Sequence, residues 1–140
     1  MVPARYIAAL FARWPKPKDA KSLGRQAERA AALFLRLKGY KILARNWRTR
    51  FGELDLVVKR GKLLVFVEVK ARRTHRRGLP EEALTPQKQA RLLRLAEMFL
   101  AQYPLSPDTQ VRIDVIAIDF SAKQPQIRHY KGALEVSTPF

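Results

Sequence analysis

Two carboxylates and a lysine could do chemistry together: Asp55 in Gly52-Glu53-Leu54-Asp55, and the pair Glu68 and Lys70 in Glu68-Val69-Lys70, which closes an apolar run. Carboxylates at this spacing suit a hard divalent ion, Mg²⁺ or Mn²⁺, which takes oxygen ligands and keeps several waters. Beside a phosphodiester, such an ion lowers the pKa of a bound water and stabilises charge on the phosphoryl oxygens. The Val69 carbonyl could add a ligand. Lys70 could orient the attacking water, help to deprotonate it, or neutralise the transition-state phosphate. The plainer alternative is a structural ion pair, because an acid at the end of a Val-rich strand is costly to bury unless it is paired. Two further acids lie within range. Glu28 could hold a second metal or the nucleophilic water. Glu53 shares the Asp55 side of its strand but reads first as a surface salt bridge.

These groups must be held by secondary structure. Gly52-Glu53 opens a strand pattern to Lys59, with Leu54, Leu56 and Val58 on one face and Glu53, Asp55 and Val57 on the other. Arg60-Gly61 makes a turn, and Lys62 to Lys70 forms the next strand, whose Leu63-Leu64-Val65-Phe66-Val67 core reads as buried on both faces. Pairing about that turn brings residue 55 close to residues 66–68. On the second strand of the hairpin Glu68 and Lys70 are two residues apart and share a face.

Upstream, Ser22 can cap a helix to about Lys38, ended by Gly39. Its alanines at 27, 30 and 31, with Phe34 and Leu35, suggest close packing on a sheet. Tyr40 to Asn46 is a first strand. Thr85-Pro86 opens a second helix, with Pro at its first position, running to about Gln102. Gln110 to Phe120 and Ile127 to Tyr130 are further strands. The order α-β-β-β-α-β-β defines an α/β fold, a mixed sheet with a helix on each side. Residues 1–20 read as an appendage, because Trp14-Pro15-Lys16-Pro17-Lys18 cannot be a regular helix or a central strand. Residues 21–140 then form a single domain.

Charge placement narrows the partner. Residues 1–77 carry 21 Lys/Arg against 5 Asp/Glu, whereas residues 78–140 carry 7 against 7. All of the excess lies in the half that holds the acids, so the expected partner is a polyanion. Nucleic acid is expected, DNA before RNA. Arg45, Arg48 and Arg50 precede the hairpin, and Arg72, Arg73, Arg76 and Arg77 follow it; they could grip phosphates on either side of the cut. Trp47 reads as a core or capping aromatic, with base stacking as its other use. His75 reads as a solvated loop residue and His129 as structural. Arg112 and Asp114 read as pairing with neighbours rather than doing chemistry. The chain has no cysteine. That removes disulfides and thiolate sites, and it fits a reducing cytoplasm. No apolar stretch approaches the roughly 20 residues of a membrane span.

The ordered set Gly24-Arg25-Gln26-Ala27-Glu28, Gly39-Tyr40, Arg45-Asn46-Trp47-Arg48, Gly52-Glu53-Leu54-Asp55-Leu56-Val57, Val65-Phe66-Val67-Glu68-Val69-Lys70-Ala71-Arg72, Lys88 and Arg112-Ile113-Asp114-Val115 resembles the YraN-type uncharacterised bacterial family across residues 22–130. That family looks like a member of the PD-(D/E)-x-K superfamily. The resemblance implies a restriction-endonuclease-like three-layer sandwich, similar to archaeal Holliday-junction resolvases. It also implies Glu28, Asp55, Glu68 and Lys70 as a nuclease site, with Leu54 in the place of the motif's proline, which many superfamily members lack. The expectation is a metal-dependent endonuclease acting on DNA, branched DNA included; two-site cutting would need a homodimer. The alternative is a nucleic-acid-binding protein that keeps the fold without catalysis.

Overall fold

The computed structural model describes residues 19–72, 85–121 and 125–134. The appendage as far as residue 18 and the loop holding Arg73, His75, Arg76 and Arg77 lie outside the described residues. Helix α1 (Ala20–Leu37) leads into strands β1 (Lys41–Thr49), β2 (Gly52–Arg60) and β3 (Leu63–Arg72). Helix α2 (Pro86–Gln102) follows, then β4 (Gln110–Asp119) and β5 (Gln126–Leu134).

The five strands form one sheet in the order β1-β2-β3-β4-β5. Neighbours are antiparallel except β3 and β4, which run parallel. A parallel pair needs a crossover, and α2 supplies it. Helix α1 covers one face and α2 the other, giving the expected α/β architecture, consistent with a restriction-endonuclease-like sandwich. On the α1 side, Ala27, Ala30, Ala31 and Leu35 pack on Leu56, Val58, Val65, Val67, Ile116 and Ile118. The small alanines bring the helix backbone close to the sheet. On the α2 side, Leu92, Leu95, Ala96 and Phe99 pack on Leu54, Val57, Phe66 and Ile113. Trp47, half-buried, sets its ring edge-on to Phe99 at 5.4 Å and packs against the core on the α2 side. Among the described residues no helix is long and apolar enough to cross a membrane.

Three expectations change. Asp19, not Ser22, caps α1: its carboxylate accepts from Ser22 N–H (2.8 Å), while Ser22 Oγ accepts from Asp19 N–H (3.2 Å). Ser22 is thus the returning half of a capping box. The first strand runs to Thr49 and the last to Leu134, beyond their expected ends. In β5 the chain passes through Gly132 at φ +63°, a conformation that favours glycine. Finally, β2 does not keep a single alternation. Leu56 and Val58 face α1, whereas Leu54 joins Val57 on the α2 side. The phase slips across Asp55, and this slip builds the site.

Candidate functional site

The ladder between β2 and β3 runs from Arg60↔Leu63 to Leu56↔Val67 and stops there. Continued, it would set Asp55 opposite Glu68 and Leu54 opposite Val69. Instead, the Asp55 carboxylate takes the place of a backbone acceptor, and Val69 N–H donates to its Oδ2 at 2.8 Å. The strands part around this side chain, so Asp55 stands in the opening rather than on a packed face.

Helix α1 and the start of β2 bring two more acids to the opening. Carboxylate oxygens of Glu28, Glu53 and Asp55 all lie within 4.8 Å of one another. Asn46 of β1 ties the first two together. With its amide nitrogen turned toward them, it donates to Glu28 Oε2 (2.9 Å) and Glu53 Oε1 (3.0 Å). Asn46 sits at φ +49°, a left-handed conformation that asparagine tolerates better than most residues. Glu53 Oε2 also accepts from Arg48 Nε at 3.0 Å. The salt bridge read from the sequence is present, and the same residue belongs to the cluster.

Glu68 lies behind Asp55 and is 5% exposed. Lys70 Nζ stands 2.9 Å from its Oε1, and an Arg91 guanidinium nitrogen from α2 stands 3.8 Å from the same oxygen. The structure therefore brings all four expected residues together in two linked parts. Glu28 and Asp55 face the opening with Glu53, and Glu68 anchors Lys70.

The acids strain one another electrostatically. Burial pushes the Asp55 carboxyl up to about 8, helped by the charge of Glu68 and opposed by the Val69 N–H. Glu28 also shares in the repulsion, and a hydrogen bond to Glu68 further favours protonated Asp55. Burial raises Glu28 too; the Asn46 hydrogen bond opposes this, while Glu53 and Glu68 add to it. Lys88 on α2 is held below its ordinary value, chiefly by the neighbouring charge of Lys70. Carboxyls that resist ionisation only because they are crowded and buried have an unmet demand for a cation. Glu28, Asp55 and Glu53 offer hard oxygen donors close enough together that they could hold a divalent ion of the Mg²⁺ class.

Two openings meet at Glu28. A cleft of about 200 Å³ is lined by Glu28, Asp55, Asn46, Arg25, Arg29 and Arg45. A larger one runs along α1 toward Lys70 and Arg72. Of the arginines expected to meet phosphate, Arg45 and Arg72 line these clefts. Arg48 is engaged with Glu53, and Arg50 stands with its guanidinium 5.0 Å from the Phe51 ring centre at the β1–β2 turn. Arg25, Arg29 and Asn46 join the site without a role read for them from the sequence, and Arg91, which reads there as a solvated helix face or an outer edge of a DNA track, faces Glu68 instead. The helical spacing that places Arg25 and Arg29 beside Glu28 was the available signal.

Asp114 is fully buried away from this centre. Arg112 grips it through two nitrogens (2.7 and 2.8 Å) and reaches Tyr40 Oη (2.9 Å). His129 Nε2 stands 2.7 Å from Asp114, Gly132 N–H donates to it at 2.9 Å, and Lys38 Nζ stands 2.7 Å from His129 Nδ1. Burial alone would raise this carboxyl, but the hydrogen bonds from His129, Arg112 and Gly132 hold it below the ordinary carboxylate value. Arg112 and Asp114 thus pair with each other as well as with neighbours, and the structural reading of His129 agrees.

Fold and site together define an α/β protein whose central sheet opens around a cluster of carboxylates with an adjacent lysine. Comparison with known proteins gives the family. Residues 27–118 match the profile of uncharacterised protein family UPF0102. A UPF0102 protein of Syntrophotalea carbinolica is 45% identical over 115 residues, 82% of this chain and 93% of the relative. Another, from Symbiobacterium thermophilum, is 48% identical over 100 residues, 71% and 84% of the two chains. The chain belongs to the UPF0102, or YraN-type, family.

Proposed function

We propose that this protein is a divalent-metal-dependent endonuclease that hydrolyses phosphodiester bonds in DNA, with branched DNA among its substrates. The observation that carries this reading is the convergence of Glu28, Glu53 and Asp55 oxygens within 4.8 Å, beside a Glu68-anchored Lys70, in the strongly basic half of the chain.

A divalent ion held by these carboxylates would supply charge for the phosphoryl oxygens and for activation of water. The chain's own groups do the rest. Glu28 and Asp55 face the cleft through which a phosphate would enter. Lys70, held by Glu68 at 2.9 Å, presents a localised positive charge that strengthens with the developing charge on the phosphate. Arg45 and Arg72 hold phosphates on either side of Glu28 and fix the register of the strand. Water adds to phosphorus, the P–O bond to one sugar breaks, and the products are one phosphate end and one hydroxyl end.

The test is incubation of the pure protein with forks, four-way junctions and linear duplexes in Mg²⁺ or Mn²⁺. Cleavage is expected for the native protein and not for Asp55→Asn. No cleavage of any substrate above that variant's background would contradict the reading. A second reading, nucleic-acid binding without catalysis, draws on the neutralisation of Glu68 by Lys70 and Arg91. It expects salt-dependent binding that Asp55→Asn leaves intact, and no Mn²⁺ site by calorimetry.

A further inference from the structure

Gly24 is the fifth residue of α1, where glycine destabilises a helix relative to alanine. Two structural reasons usually justify such a residue. Gly52 has both: its φ is +137°, and a Cβ there would lie 3.2 Å from the Arg91 side chain. Gly24 has neither. It is not among the positive-φ glycines, and a Cβ built on it meets no atom within 4 Å among the described residues outside its own helix backbone. The bare backbone instead lines a cleft of about 560 Å³ between α1 and the end of β3. That volume lies inside the ~300–1,000 Å³ range of ligand pockets.

The opposite wall is the end of β3 from Val69 to Arg72, where the Lys70 ammonium is held by Glu68. Arg72 adds an independent sign of a missing partner. Its NH1 nitrogen donates to Ala71 O (3.0 Å), but its Nε is buried with no hydrogen-bond partner among the described residues. A buried donor left without an acceptor is destabilising, and an anion that drew the side chain outward would satisfy it. The cleft ends at Glu28, which also lines the smaller opening holding Asp55 and Arg45. A chain lying in the cleft is therefore delivered to the carboxylates.

We propose that this cleft is the track for the sugar–phosphate backbone of a polynucleotide strand, and that Gly24 is kept bare so that the strand can lie against the helix. The inference rests on the nuclease reading and adds the path of the substrate. Contact at Gly24 is with backbone and carries no base readout, so recognition along the track is independent of sequence.

The chain has no cysteine, so Gly24→Cys gives it a single thiol. Its rate of maleimide labelling is measured in EDTA, with and without a short single-stranded DNA oligonucleotide. The thiol is expected to label fast alone and slowly with the oligonucleotide. A companion variant, Gly24→Leu, is expected to weaken oligonucleotide binding about tenfold or more, while its far-ultraviolet circular dichroism and Mn²⁺ binding match the native protein. Labelling that the oligonucleotide does not slow overturns the inference, even where the native protein binds and cuts DNA. A thiol already protected without DNA overturns it in favour of a segment of the chain itself. If Gly24→Leu fails to fold, the labelling result alone decides. A native protein that binds no oligonucleotide overturns both this inference and the reading on which it rests.

Discussion

Asp55 offers the sharpest physical test, because the charge that would serve a metal is a burden without one. Its carboxyl is pushed from 3.8 up to about 8, first by burial and then by Glu68. For an acid raised in the folded state, the penalty is absent below the unfolded pKa. It grows as pH rises and is complete near the folded pKa, here across pH 4 to 8. At about 1.36 kcal/mol per unit, the ceiling at pH 7 is about 4 kcal/mol. Coupling within the acid cluster and relaxation of its surroundings reduce this, so a net effect of about 1–3 kcal/mol is expected. Asp55→Asn keeps an oxygen for Val69 N–H and removes the charge. In EDTA at pH 7.5 it should melt higher than the native protein by several degrees, at about 2–8 °C per kcal/mol across domains of this general size. The gain should shrink toward pH 4.5. Thermal unfolding of both proteins across this range is the assay. A variant less stable than the native protein at pH 7.5, or a difference that does not change with pH, would refute the reasoning.

Other outcomes follow from the same structure. Asp114→Ala leaves Arg112 and His129 without their shared partner and should cost about 3–5 kcal/mol in denaturant unfolding. Because the folded Asp114 carboxyl is depressed, its stabilisation is present above the ordinary carboxylate pKa and lost as pH falls through the folded value; the native-minus-variant gap should therefore narrow only in strong acid. Asn46→Ala puts a Cβ residue without a compensating amide at φ +49° and should lower stability by about 1–2 kcal/mol, read by chemical denaturation in EDTA. Ala31→Leu overfills a fully buried contact between α1 and the sheet and should cost about 1–3 kcal/mol, checked in the same way.

Much of this architecture was readable from local chemistry. The alanine spacing marked the buried face of α1, Thr85-Pro86 marked the start of α2, and Arg60-Gly61 set a hairpin that brings residue 55 close to residues 66–68. The interruption of that register was not readable. Leu54, Leu56 and Val58 alternate cleanly in the sequence, yet the backbone slips between the first two so that the Asp55 side chain can replace a ladder acceptor. Asn46 was hidden for a similar reason: nothing in Arg45-Asn46-Trp47 announces a left-handed residue inside a strand. Glu53 was legible as a partner for Arg48, but its second oxygen depends on where Asn46 points. The Asp114 network joins β4, β5 and the turn between α1 and β1, and pairings across such separations leave no periodic trace.

The account stands or falls on whether the carboxylates at the parted strands hold an ion. Anomalous diffraction from crystals soaked in Mn²⁺ reads this directly. The expected result is a peak among the oxygens of Glu28, Glu53 and Asp55, absent in Asp55→Asn crystals treated in the same way. Well-diffracting soaked crystals with no peak there, or a peak that survives Asp55→Asn unchanged, would contradict it.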